Sequence, residues 1–326
     1  MLERRNLEIK SLLLASPTKC LVCGESCNHA QVLTTSHLRN AYESYFRVDC
    51  PENTVPENIT LVKCNQCELE FCLEPKVPVD FYPWVVELPG YYPTDRPEWN
   101  LLLAEFASAG RHVNVLEAGC GSGVFLKKMA NVQNVMAYGI DTSESAIRQC
   151  KHQDLNAVAS DLGTYLKSPP ANFPKKFDFI VGSHVLEHVA NPFEFLSDCL
   201  NLLVPAGSVF MSLPLSPNDH EHAMLDPILY PPHHLTRWRK KTFLALGEIL
   251  NAKVTLRSVK RRSALRALSH TMFCALKFRG LNVSIGSRLK LLLREPLYWG
   301  SEAAWQVLRR ARGSIVSDHI LLKLTK

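Results

Sequence analysis

The chain has 326 residues, 46% hydrophobic and 21% charged, enough to bury one large α/β core beside a smaller accessory unit. No apolar run reaches the roughly 20 residues of a membrane-crossing helix, and Arg4, Arg5, Glu8 and Lys10 leave no signal-peptide core. Eleven cysteines in such a chain suit a reducing compartment, so the expectation is a cytoplasmic protein and not a channel or a disulfide scaffold. The net charge of +6 is uneven: residues 253–326 carry sixteen Lys or Arg against three acids, a surplus of the kind that faces a polyanion or simply a solvated helix face.

In chain order, residues 1–16 place charged and apolar positions at near-helical spacing and predict a leading helix. Residues 17–75 hold two C-x-x-C turns, Cys20 with Cys23 and Cys64 with Cys67. Paired turns of this kind bring four thiolates to one tetrahedral ion, so a zinc ribbon is expected, with a structural Zn2+ that has no open position. Cys27, Cys50 and Cys72 lie nearby but are not needed for it. Residues 76–97 form a connector rich in proline and aromatics, including Phe81, Tyr82, Trp84, Tyr91 and Tyr92, which suits cementing one unit onto the other. A helix is expected over about 97–109.

The region from 98 to 326 is organised around 113–123, where an apolar strand runs into Gly119, Gly121 and Gly123 and then a helix. Such glycines let backbone approach a bound nucleotide, but Val124 stands where a dinucleotide fingerprint needs its last glycine, which argues against NAD. Further strands are expected at 135–140 ending in Asp141, at 156–160 ending in Asp161 and Leu162, at 177–183 running into His184, and at 208–213, 253–259 and the last ten residues. Asn191 and Pro192 open a helix in between. The carboxyl ends of these strands are where an open α/β sheet binds its ligand.

With Glu117 ahead of the glycines and Asp141 and Asp161 at the next two strand ends, this part resembles the class I S-adenosylmethionine-dependent methyltransferases. Cys64 to Phe71, the Pro/Tyr-rich connector and the glycine strand together resemble members with an N-terminal zinc-binding domain, several of which modify nucleotide-linked sugars or glycans. The resemblance implies a Rossmann-like seven-stranded sheet, mostly parallel with its last strand antiparallel, and a basic helical insertion at about 260–315. It also implies that Gly119, Gly121 and Gly123 hold the cofactor's amino-acid end and ribose, Asp141 the ribose hydroxyls, and Asp161 with Leu162 the adenine. Glu117 would position the loop or the cofactor's ammonium, and His184 would lie beside the methyl donor.

For the proton acceptor, the Tyr230-Pro-Pro-His233-His234 segment offers His233 and His234 first, with Tyr230 beside them. Asp219, His220 and His222 form a second group. The expected acceptor is a small molecule, a nucleotide-linked sugar or a glycan- or lipid-linked intermediate, methylated on oxygen or carbon. An RNA methyltransferase using the ribbon and the basic C-terminal region is the alternative, although Ser183-His184-Val185-Leu186 replaces the Pro-Pro-aromatic turn of base-amine enzymes. A non-catalytic cofactor-binding module is a third reading. The insertion's arginines and apolar residues suit either packing on the domain or contact with a membrane surface.

Overall fold

The computed structural model describes residues 10–88, 94–216, 227–259, 264–278, 284–311 and 319–326. Strands β1 (Lys10–Lys19), β2 (Ser26–Leu33), β3 (Ile59–Lys63) and β4 (Glu70–Cys72) make an antiparallel sheet, with helix α1 (Thr35–Phe46) inserted between β2 and β3. The expected leading helix is corrected here: Lys10–Lys19 is an edge strand, with Leu12 opposite Ala30 and Leu13 opposite His29. Its register shifts between Leu13 and Thr18, and a proline such as Pro17, which lacks the ladder N–H, is tolerated on an edge at a bulge. Pairing with β2 overrides local spacing; residues 1–9 lie outside the described residues. The ribbon is likewise larger than expected, since it starts earlier and contains a helix.

The connector packs as the sequence suggests. Helix α2 (Phe81–Val85) lays Phe81 and Trp84 edge-on against Tyr42 of α1, with ring centroids 5.9 and 5.4 Å apart. Tyr42 also donates to the Pro227 carbonyl at 3.1 Å, and Tyr230 and Leu235 share the same core cluster, so these aromatics join the N-terminal sheet to the far end of the chain. Tyr91 and Tyr92 lie outside the described residues. Helix α3 (Pro97–Ala107) follows, with proline in its first turn where no N–H is missed.

The second sheet runs through β5 (Val113–Ala118), α4 (Val124–Ala130), β6 (Val135–Asp141), α5 (Glu144–Lys151), β7 (Ala157–Ala159), α6 (Leu162–Lys167), β8 (Phe177–Ser183), α7 (Pro192–Asn201) and β9 (Leu203–Pro214). Asn191 caps α7 by accepting from the Glu194 amide at 3.2 Å. After β10 (Thr236–Arg237) come α8 (Lys240–Ile249), β11 (Lys253–Ser258), the inserted helices α9 (Ala264–Phe278), α10 (Ile285–Arg294) and α11 (Pro296–Ala311), and β12 (His319–Thr325). The sheet order is β11-β12-β9-β8-β5-β6-β7, with β12 antiparallel to both neighbours and β5 to β9 parallel. This is the expected seven-stranded arrangement, and the order reverses at β5, whose carboxyl end is therefore the crevice where ligands bind. No helix among the described residues is long and apolar enough to cross a membrane. Ile285, Leu293 and Leu297 of the insertion are nonetheless exposed.

The two sheets are tied by β10, which leaves the second half of the chain to pair with β4 through Thr236 opposite Phe71 and Arg237 opposite Glu70. Arg237 and Arg239 both bind the Glu70 carboxylate, and Thr242 donates to the Cys67 carbonyl at 2.9 Å. Trp238, fully buried and stacked on Phe243, seals the junction with about 2–3 kcal/mol of apolar burial.

Candidate active site

The bend after β5 has Gly119, Gly121 and Gly123 at φ of +73°, +52° and +84°, a region costly for any residue with a Cβ. The Gly119 and Cys120 amides both donate to the Ile140 carbonyl, at 2.8 and 3.0 Å. Asp141 then fixes the bend from the end of β6: one carboxylate oxygen accepts from the Gly121 amide and the other from the Ser143 amide, each at 2.8 Å. A Cβ on Gly119 would lie 2.5 Å from Val185 Cγ2, and one on Gly123 would lie 2.6 Å from Leu155 Cδ1, whereas Gly121 faces open space. Gly119→Ala is therefore expected to destabilise the protein by about 2 kcal/mol or more and to lower ligand affinity at the bend; thermal melting and calorimetry would check both.

Beneath the bend, burial pushes the Glu117 carboxyl well above the usual carboxylate range, reinforced by the Cys150 and Asp141 charges. Its Oε2 has no hydrogen-bond partner among the described residues. A cationic group reaching this oxygen would relieve both penalties.

Asp161 and Leu162 do other work as well. Asp161 caps α6, accepting from the Thr164 amide at 2.9 Å and its hydroxyl at 2.7 Å, bonds that hold its carboxyl below the ordinary range. Leu162 is buried in the main core.

At the end of β8 the chain turns sharply. His184 adopts φ +56°, an uncommon conformation for a residue with a side chain, and sits between two buried acids. Its Nδ1 lies 3.1 Å from Glu187 Oε1 and its Nε2 lies 3.4 Å from Glu98 Oε1. Glu98 arrives on α3, whose next residue Trp99 donates to Ser183 Oγ at 3.0 Å and stacks on Phe125. Burial works against every charge here, yet the carboxylates outweigh it and raise the His184 imidazole above its usual range. His184 in turn overcomes burial to hold Glu187 below the carboxylate range and Glu98 at about 2.

His233 and His234 are brought to the same place by the turn that leads into β10, in which both amides bond to the Tyr230 carbonyl at 3.1 Å. They meet His188 there, with ring centroids 4.6 to 4.8 Å apart. Burial is the main cause that lowers all three, His233 to about 3 and His234 well below the ordinary value, so these rings are neutral. Burial of this kind disfavours the imidazolium and so works against His233 or His234, the expected proton acceptors, while leaving each ring a lone pair to offer. Tyr230 is buried too, its ring faced by the Arg237 guanidinium at 4.0 Å. Asp219, His220 and His222 lie outside the described residues.

Residues 94–256, half of the chain, match the family described as a methyltransferase domain. The chain belongs to this methyltransferase family. Its curated relatives include two named ubiquinone biosynthesis O-methyltransferases. The Neisseria meningitidis protein is 28% identical over 43% of this chain and 60% of its own length, and the Thiobacillus denitrificans protein is 33% identical over 30% and 43%. The chain thus spans less than two thirds of the curated relatives it matches. Among solved structures, a SAM-dependent methyltransferase from Archaeoglobus fulgidus is 20% identical with a TM-score of 0.46, covering 70% of this chain and 94% of its own. The plantazolicin methyltransferase BamL, solved in complex with a triazolic desmethylPZN analog and SAH, is 16% identical with a TM-score of 0.44, covering 70% and 83%.

Within this family domain, Glu98, Glu187 and His188 are the residues that sequence reading left without a role. The Glu-His pair stood in plain view after the fourth strand of the second sheet, but Glu98 sits on a helix 86 positions upstream of His184, and only packing brings them together. Away from this cluster, the four sulfurs of Cys20, Cys23, Cys64 and Cys67 lie within 4.8 Å of one another, with Cys20–Cys67 and Cys23–Cys64 both at 3.5 Å. The two turns are alike: Gly24 and Glu68, each just after the second cysteine, share a left-handed φ, and each turn's first cysteine carbonyl accepts their amide. Four converging thiols suit a tetrahedral thiophilic ion; Cys27, which donates to the Glu25 carbonyl at 3.6 Å and lies close to Cys64, is not one of the four.

Proposed function

We propose that the protein transfers a methyl group from S-adenosylmethionine to a hydroxyl oxygen of a small acceptor. The observation that carries this reading is the glycine bend at the sheet's crossover point, held by Asp141 and open at Gly121, above a buried Glu117 whose Oε2 has no hydrogen-bond partner among the described residues. When bound, the cofactor supplies a methyl group already activated on a sulfonium. Gly119, Gly121 and Gly123 would take its amino-acid end, Glu117 its ammonium, Asp141 the ribose hydroxyls, and Asp161 with Leu162 the adenine. His184 would stand beside the methyl donor. The oxygen acceptor is supported by the names of the curated relatives, which act in ubiquinone biosynthesis; a sugar or glycan acceptor has no support among them. The four-cysteine site would hold a structural Zn2+, since thiolates fill its coordination.

His184 is the group poised to take the acceptor's proton. Its imidazolium would be stabilised by Glu187 and Glu98, as a carboxylate stabilises the imidazolium of an activated nucleophile pair. A base works only when deprotonated, so the rate should rise with pH through the His184 titration, above the ordinary histidine value of 6.5. Glu98 is a positioning residue. Glu98→Gln removes one of the two charges and is expected to move this acidic limb to lower pH, read from kcat/KM profiles. An unmoved limb would take His184 out of this role.

The test is a screen of labelled methyl donor against phenols and catechols, nucleotide sugars, glycan fragments and RNA. Label is expected in a hydroxyl acceptor, and label confined to RNA would overturn the reading.

A further inference from the structure

Three histidine rings, His188, His233 and His234, converge beside Glu187. Nδ1 of His188 lies 2.6 Å from the His233 carbonyl and Nδ1 of His233 lies 2.8 Å from the Ile228 carbonyl. Carbonyls only accept, so each ring donates there from Nδ1 and carries its lone pair on Nε2, the tautomer and orientation that backbone carbonyls impose on metal-binding histidines. One nitrogen from each of His188, His233 and His234 lies within 4.8 Å of the other two. Imidazole nitrogens on a shared ion at about 2.1 Å stand somewhat closer than this, a difference that small ring rotations close. The Glu187 carboxylate, 1% exposed, reaches to 3.9 Å from His234 Nε2, and its Oε2 has no hydrogen-bond partner among the described residues. A buried carboxylate with an unpartnered oxygen beside three converging imidazole rings is a donor set that suits a cation.

We propose that His188, His233 and His234 form a second metal centre, taking a divalent transition ion of the zinc, cobalt or iron type. Three imidazoles leave a coordination position for an oxygen ligand, in contrast to the closed four-thiolate site. A small cavity lined by Pro214, Leu215, Leu229, Thr236 and Arg237 adjoins His234. The centre stands on its own geometry; its use rests on the methyl-transfer reading. There, the ion would supply acidity to an acceptor hydroxyl, and His184 would take the proton. The hydroxyl's oxygen lone pair forms the new O–C bond, and the C–S bonding pair stays on sulfur, leaving the neutral thioether.

The test uses full-length protein with zinc retained in its cysteine site, titrated with cobalt(II) alone and followed by calorimetry, visible absorption and X-ray absorption at the cobalt edge. One equivalent is expected to bind with d–d bands, imidazole scattering and no sulfur-to-cobalt charge transfer. His188→Gln and His234→Gln are expected to weaken it at least ~10-fold. Failure of wild-type protein to bind cobalt, or sulfur scattering around it, would overturn the proposal, and so would unchanged affinity in folded variants. If the variants do not fold, the wild-type edge spectrum still decides. S-adenosylhomocysteine binding, measured alongside, separates the two readings: its absence sinks methyl transfer and leaves the metal result standing.

Discussion

An Asp141→Ala protein is expected to bind S-adenosylhomocysteine at least ~100-fold more weakly than wild type while keeping its fold. Asp141 lies at the partly exposed end of β6 and holds the bend through two charge-assisted bonds, to the Gly121 and Ser143 amides at 2.8 Å each. Bonds of this kind contribute about 1.5–3 kcal/mol each. Loss of one, together with a ribose contact, exceeds the roughly 2.8 kcal/mol that a hundredfold requires. Asp141→Asn keeps one acceptor oxygen and should fall between the two. Calorimetric titration measures the affinity and thermal melting the fold; a ligand affinity within threefold of wild type in Asp141→Ala would remove the residue from the site.

The second large effect concerns the cysteine-rich head. With zinc in the four-cysteine site, as proposed, Cys64→Ser is expected to weaken its retention and lower the melting temperature by about 10 °C. Cys64 is fully buried, and its sulfur also accepts from the Cys67 amide at 3.4 Å. Structural zinc contributes on the order of 10 kcal/mol to such sites, so losing one of four ligands forfeits about 3 kcal/mol, at 2–4 °C per kcal/mol for a chain of this class. The loss should spread, because β10 belongs to the head's sheet and directly follows the His233-His234 turn. Cys27→Ser is the control for zinc: its thiol donates to the Glu25 carbonyl and is not one of the four converging sulfurs, so zinc content should hold even if this buried substitution lowers the melting temperature. Elemental analysis and calorimetry read both variants.

Much of this was legible without coordinates. Apolar runs of fixed length ending in Asp141, Asp161 and His184 located the strands, and glycines at 119, 121 and 123 located the bend, because strand length and positive φ are written locally in residue type. The paired C-x-x-C turns located the four-cysteine cluster for the same reason, since a knuckle is a property of five consecutive residues. Where local preference and long-range pairing competed, local reading failed: Lys10–Lys19 has near-helical spacing but finds a strand partner in β2.

The chemistry of the histidines lay beyond the sequence altogether. Residue type says only that an imidazole titrates near neutrality; it is burial that drives His233 and His234 down and two facing carboxylates that lift His184. Desolvation and charge proximity depend on which elements pack together, here α3, the end of β8 and the turn before β10, which come from three distant parts of the chain. The sequence therefore determined which side chains were present and which backbone bends they permit. Only the tertiary structure decided which of them can accept a proton and which can offer a lone pair, because the solvent and charge around each ring exist only once the chain has folded.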